Sequence, residues 1–257
     1  MCGIVGFTNN IDNTDEVLGK MMDRIRHRGP DAEGKYIDDD IALGHRRLSI
    51  IDISSSGDQP IFNEDKSLVI IFNGEIYNYK DIREKLVEAG HCFRTNTDTE
   101  VLIHGYEEYG EKLLNMLRGM FSFVIWDKNK KELFGARDFF GIKPMYYANM
   151  NGTLMFGSEI KSFLEHPNFT KELNTTTLEN YLTFQYSPTS ETFFKNVYKL
   201  PPAHYFRFKD GKFEAKRYWD VKFSADGKPQ LDEWVNMISD TFHNSVEAHK
   251  IADVEVG

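Results

Sequence analysis

Cysteine is scarce in this 257-residue chain: Cys2 and Cys92 are the only two. Two thiols cannot form a disulfide framework, and a reducing compartment suits a working thiol. Short-range metal spacing is missing as well. The eight histidines form no H-x-x-x-H and there is no C-x-x-C, so no metal centre is expected. The apolar runs are far too short to span a bilayer. Polar residues Thr8-Asn9-Asn10 follow Phe7 directly, which does not fit a signal peptide. Positive charge is outnumbered, with 31 Lys and Arg against 40 Asp and Glu, a net charge of −9, and no basic stripe interleaved with aromatics. That balance argues against nucleic-acid binding. The expectation is a cytoplasmic chain that engages neither nucleic acid nor membrane, with no internal repeat.

What is present supports a packed core. The hydrophobic content is 40%, with 20 Phe and 12 Tyr, which excludes a disordered chain. Periodicity predicts a first strand at Gly3–Phe7 and a helix with Val17, Leu18, Met21, Met22 and Ile25 on one face, stopped at Gly29-Pro30. Strands are expected at 41–43, 48–53 and 68–72. Two helices follow, one from Asn78 to Gly90 and one opened by the capping box Thr97-Asp98-Thr99-Glu100. Short strands at 120–126, 132–136, 145–147 and 153–156 are joined by turn residues such as Asn151-Gly152. Helical segments are expected at 159–164 and 176–184. A hairpin turns at Asp210-Gly211, a last helix runs from Leu231 to His249, and a further strand begins at Asp253. This order is not a βαβ alternation, so it predicts an α+β fold with sheets packed on each other.

Several short segments carry candidate chemistry. Removal of Met1 would leave Cys2 with a thiol and a free α-amine on one residue. An α-amine has a pKa of roughly 7.7–8.0, so near neutral pH it can take the thiol proton. The structural alternative is a buried cysteine leading a core strand. Asn73-Gly74 after an apolar run is ordinarily a hairpin turn; equally, an Asn amide beside a glycine N–H can hold an oxyanion. Asp98 suits the first turn of a helix, and Glu75 and Arg47 could be ordinary surface charges. Together, however, one Arg and two carboxylates can read a zwitterion. Arg47 would take an α-carboxylate, and Glu75 and Asp98 would hold an α-ammonium.

The strings Cys2-Gly3-Ile4-Val5-Gly6, Arg26-His27-Arg28-Gly29-Pro30-Asp31, Gly44-His45-Arg46-Arg47-Leu48-Ser49, Asn73-Gly74-Glu75-Ile76-Tyr77-Asn78, Thr97-Asp98-Thr99-Glu100, Arg137-Asp138-Phe139-Phe140-Gly141-Ile142-Lys143-Pro144 and Ser158-Glu159-Ile160-Lys161 occur in that order. Over about residues 2–195 they resemble the N-terminal glutaminase domain of glutamine-hydrolysing asparagine synthetases, a class II (N-terminal nucleophile) glutamine amidotransferase. The resemblance implies a four-layer αββα sandwich at 1–195, with 196–257 as linker and the start of a synthetase domain. It implies Cys2 as nucleophile, its α-amine as base, and Asn73 with Gly74 as oxyanion hole. Arg47, Leu48, Ser49, Ile50 and Ile51 would line the L-glutamine site, with Glu75 and Asp98 on its amino end. The glutaminase step needs no cofactor. The family continues into an ATP-pyrophosphatase domain marked by a Ser-Gly-Gly-x-Asp-Ser loop, which this sequence lacks; ATP and Mg2+ are expected only there. The apolar face of the last helix (Trp234, Ile238, Phe242) predicts self-association, as a homodimer. A catalytically silent module, or an amidotransferase half feeding a different acceptor, is the alternative.

Overall fold

The computed structural model describes residues 1–224 and 229–254. Its strands are β1 (Gly3–Thr8), β2 (Ala32–Ile37), β3 (Ile41–Arg47), β4 (Ile61–Phe62), β5 (Leu68–Ile76), β6 (Gly119–Asp127), β7 (Glu132–Arg137), β8 (Tyr146–Met150), β9 (Thr153–Gly157), β10 (Val197–Lys199), β11 (His204–Lys209) and β12 (Lys212–Arg217). The α-helices are α1 (Thr14–Arg24), α2 (Tyr79–Glu88), α3 (Asp98–Tyr109), α4 (Thr175–Phe184) and α5 (Leu231–His249).

The strands form two six-stranded antiparallel sheets, ordered β10-β8-β9-β1-β3-β2 and β12-β11-β7-β6-β5-β4. Alternation of side chains across each strand gives every sheet two apolar faces. From β1, Ile4 packs between the sheets with Val69, Ile71, Val124 and Phe206. Its neighbours Val5 and Phe7 turn the other way, onto Leu18, Met21 and Met22 of α1. From β5, Ile70 and Phe72 turn outward onto Ile82, Leu86, Val101 and Leu102 of α2 and α3. The result is helix, sheet, sheet, helix: the expected αββα sandwich. Burial of these side chains contributes roughly 1.5–3 kcal/mol each.

Turn chemistry behaves as the sequence predicts. Asn151-Gly152 joins β8 to β9 with φ of 51° and 79°, and Asp210-Gly211 joins β11 to β12 with 50° and 75°. Positive φ at both central residues is what a tight two-residue hairpin requires. Asn73-Gly74 is different. It lies inside β5, paired with Ser122 and Phe121 of β6, so the turn reading fails.

Other expectations need correction. Residues 48–53 are not a strand. Asp52 adopts a φ of 50°, and the Arg47 guanidinium gathers the carbonyls of Ile51, Asp52 and Ser54 around itself, which curls the segment into a loop. An unanticipated edge strand, β2, pairs with β3. The helical segment expected at 159–164 is present as a 3-10 helix, Ile160–Glu165. The sheets also run past residue 195: β10 pairs with β8, and β11 with β7. The strand expected from Asp253 onward falls partly outside the described residues; Asp253 and Val254 themselves are not in a strand. The apolar side of α5 stays exposed, with Ile238 at 65% and Phe242 at 71%.

Candidate active site

One cavity of about 150 Å³ lies where β1 and β5 meet the start of α3 and the loop after β3. Its wall includes Cys2, Arg47, Leu48, Ile50, Ile51, Asn73, Gly74, Glu75, Asp98 and Lys143. All but one of the residues named from the sequence therefore converge; Ser49 is not in the wall and instead donates its N–H to Asp31 Oδ2 at 2.8 Å.

Cys2 precedes the first residue of β1, so the sheet fixes its position. Arg28 Nε donates to the Cys2 carbonyl at 2.9 Å, and Glu159 holds Arg28 Nη1 at 3.1 Å. Ser158 Oγ accepts the next strand amide, from Ile4, at 3.0 Å. These side chains sit within quoted motif strings, but the sequence alone gave them no role. The Cys2 sulfur receives the Leu48 N–H at 3.4 Å and lies 3.5 Å from the Leu48 carbonyl. Burial pushes the thiol pKa up, and Asp98 adds to the rise; the Leu48 contact, the chain-start ammonium and Arg47 pull it down by less. A thiol in that state is neutral at rest and needs a base. Met1, still attached, lines the same cavity. Burial lowers the pKa of its ammonium; Cys2 opposes the effect, and Lys143 and Arg28 reinforce it.

Asn73 is 1% exposed, and neither its amide oxygen nor its amide nitrogen has a hydrogen-bond partner. A buried unpartnered amide costs about 1–3 kcal/mol, so its place on the cavity wall is informative: a bound oxyanion would satisfy the nitrogen. Gly74 follows because the backbone is crowded; a Cβ there would lie 2.2 Å from the Met120 carbonyl oxygen.

Asp98 is 5% exposed at the first turn of α3. Burial raises its pKa to about 7, and Glu75 adds to the rise; the Ile76 N–H, 2.9 Å from Oδ2, works against it. Burial also raises Glu75, while Lys143 and His249 lower it. The capping box before α3 is half formed. Thr97 accepts the Glu100 N–H at 3.2 Å, but the Glu100 carboxylate turns to the amides of Arg94 and Thr95.

Arg47 lines the cavity with its guanidinium already engaged. Its Nη1 donates to Ser54 O at 2.7 Å and to Asp58 Oδ1 at 2.6 Å, and its Nη2 to the carbonyls of Ile51 and Asp52. It thus anchors the loop over the cavity, and reaches a carboxylate only by exchanging some of these acceptors. The same loop is tied from outside: Asp253 Oδ2 accepts the Asp52 N–H at 2.7 Å, and the Asp253 N–H reaches Ile50 O at 2.9 Å.

Comparison with known proteins sorts this arrangement. The glutamine amidotransferase domain family matches residues 1–219. The chain belongs to that family. This amidotransferase chain is 42% identical over 266 residues to asparagine synthetase [glutamine-hydrolyzing] 1 of Bacillus subtilis, covering 100% of itself and 41% of that protein. It is 36% identical over 275 residues to amidase chry2 of Gibberella zeae, again covering all of itself and 40% of the relative. It therefore spans about two-fifths of the length of the curated relatives it matches. Among solved structures, the glutamine phosphoribosylpyrophosphate amidotransferase of B. subtilis superposes with a TM-score of 0.64 at 18% identity, over 85% of this chain and 49% of that one. That likeness shows the shared sandwich. No helix among the described residues is long and apolar enough to cross a membrane.

Proposed function

We propose that this domain hydrolyses the side-chain amide of L-glutamine to glutamate and ammonia through a Cys2 thioester. The observation that carries the reading is the buried, unpartnered Asn73 amide on the same cavity wall as Cys2. Met1 is first removed, which turns the Cys2 amide nitrogen into an α-amine. Asp98 and Glu75 hold the glutamine ammonium. The loop at 48–51 and Arg47 receive its α-carboxylate.

The α-amine takes the proton of the neutral thiol as sulfur attacks the amide carbon. The carbonyl oxygen becomes an oxyanion held by the Asn73 amide and the Gly74 N–H. As the intermediate collapses, the N-terminal ammonium returns its proton to the leaving nitrogen, and ammonia departs. Water, deprotonated by the same amine, then cleaves the γ-glutamyl thioester. No metal or organic cofactor takes part in these steps. We assign the ammonia to an aspartyl acceptor activated with ATP and Mg2+ by a further synthetase domain, in a cytoplasmic parent protein. The support is the set of relatives named as asparagine synthetases and the large part of their length that this chain does not cover. The exposed face of α5 is assigned to contacts with that domain or with a second copy.

The test combines intact mass with a glutamate-release assay. Active protein lacks Met1, and Cys2→Ala abolishes turnover. Full activity with Met1 retained would refute the role of the amine.

A further inference from the structure

Away from the cavity, four potential metal ligands meet from three separate elements. Glu64 lies in the turn between β4 and β5, His91 follows α2, and His104 and Glu107 sit one turn apart on α3. One donor atom from each lies within 4.8 Å of all the others. The Nδ1 atoms of both histidines face the carboxylates. Glu64 is 3.4 Å from His91 Nδ1 and 3.2 Å from His104 Nδ1, and Glu107 Oε2 is 4.0 Å and 3.9 Å from the same two nitrogens. Tetrahedral zinc with bonds of about 2.0–2.2 Å sets its ligand atoms roughly 3.3–3.6 Å apart. The four histidine–carboxylate spacings are within a few tenths of an ångström of that range, and the widest spacing, within 4.8 Å, closes by side-chain shifts of up to about 1 Å.

Two further observations point to an ion rather than to histidine–carboxylate pairing alone. His104 is 1% exposed, and both of its ring nitrogens have only carboxylates nearby, Nδ1 facing Glu64 at 3.2 Å and Nε2 facing Glu100 at 3.5 Å, neither aligned as a hydrogen bond. The Phe93 and His91 rings pack against it at 4.7 Å and 5.1 Å between centroids. A lone pair given to a metal would relieve that penalty. The outer nitrogens also have the partners that metal-bound histidines use. His104 Nε2 lies 3.5 Å from Glu100 Oε1, and His91 Nε2 lies 3.5 Å from Glu108 Oε2. Carboxylates behind the ligand histidines fix the tautomer and orient the ring. Glu64 is itself positioned by the Cys92 N–H, 2.9 Å from Oε1.

We propose that Glu64, His91, His104 and Glu107 form a binding site for one divalent transition-metal ion of the zinc type, which fastens the β4–β5 turn and the end of α2 to α3. Two imidazoles and two carboxylates in a closed, four-coordinate arrangement suit a structural rather than a catalytic ion. The site lies about 9 Å along α3 from Asp98, at 1.5 Å per residue. The ion would hold the helix whose first turn lines the cavity while taking no part in the chemistry.

The test uses the whole chain carrying Cys2→Ala, so that the nucleophile cannot compete for metal. After stripping with a chelator, zinc is titrated against a chromophoric competitor, and melting is followed with and without zinc. The expected result is one equivalent bound at micromolar or tighter affinity, with melting raised by about 5–10 °C at a hundredfold excess over Kd. Glu107→Gln, at the exposed rim, should weaken binding at least tenfold and remove most of the melting shift, and His91→Gln, whose side chain is 11% exposed, should do the same. His104→Gln should do so more strongly if it folds. The proposal is overturned if no saturable binding occurs at micromolar zinc, or if the rim variants bind as tightly as the parent.

Discussion

Asp98 makes the most quantitative prediction. Burial raises the pKa of its carboxyl to about 7, so about one tenth is ionised at pH 6 and about nine tenths at pH 8. A bound ammonium favours the ionised form. Glutamine affinity should therefore rise about tenfold from pH 6 to pH 8, and binding at pH 7 should release about half a proton. Calorimetry on the Cys2→Ala chain, in two buffers of different ionisation enthalpy, reads both quantities without turnover. Asp98→Asn should flatten the pH dependence and weaken binding by about 1.5–3 kcal/mol, the worth of a charge-assisted hydrogen bond. Stability must move the opposite way. A carboxyl whose folded pKa lies above its unfolded value contributes stability at low pH, and that contribution is lost as pH rises from about 3.8 through about 7. The unliganded Asn variant should therefore gain on the parent in denaturant melts at pH 8. Affinity that stays flat or falls between pH 6 and pH 8 would refute the reasoning, as would an unchanged slope in the Asn variant.

Asn73→Ala should lower kcat by about 10²–10³ with little change in glutamine affinity, because the lost donor acts on the transition state; steady-state kinetics beside calorimetry separates the two. Gly74→Ala should destabilise the fold by about 1–3 kcal/mol, since its methyl meets the backbone of β6 at Met120 and Phe121 as well as the Phe72 ring; urea unfolding checks this. Asp253→Ala frees one side of the loop over the cavity and should raise KM about two- to tenfold with kcat nearly unchanged. The chain should yield glutamate but no asparagine from aspartate and ATP, and product analysis that detects such asparagine contradicts the assignment of that chemistry to a further domain.

That two sheets pack on each other was legible in the element order, from continuous apolar runs at β1, β5 and β6 and helical periodicity in α1, whereas the helix–sheet–sheet–helix layering came only through the resemblance. The convergence of Cys2, Asn73, Glu75 and Asp98 came through motif order, since no local rule brings residue 2 beside residue 98. What stayed hidden depends on contacts between distant segments. Residues 48–53 read as a strand because their apolar pattern says nothing of an Arg47 side chain that collects their carbonyls. The same guanidinium was expected to face a carboxylate directly. Arg28 and Glu159, which seat Cys2 from 131 positions apart, were visible only as members of quoted strings. The Glu64–His91–His104–Glu107 cluster escapes a search for short ligand spacing because three elements supply it. The boundary at residue 195 followed the extent of the resemblance, whereas β10–β12 continue the hydrogen bonding of both sheets across it.

The central claim is a nucleophile and base carried by one terminal residue facing a glutamine amide. Intact mass and peptide mapping after reaction with a glutamine-mimicking diazoketone test it most directly. The account predicts one adduct, on Cys2 of a chain that has lost Met1, with glutamine protecting against it. An unlabelled Cys2 in protein that still releases glutamate, or labelling confined to Cys92, would contradict it.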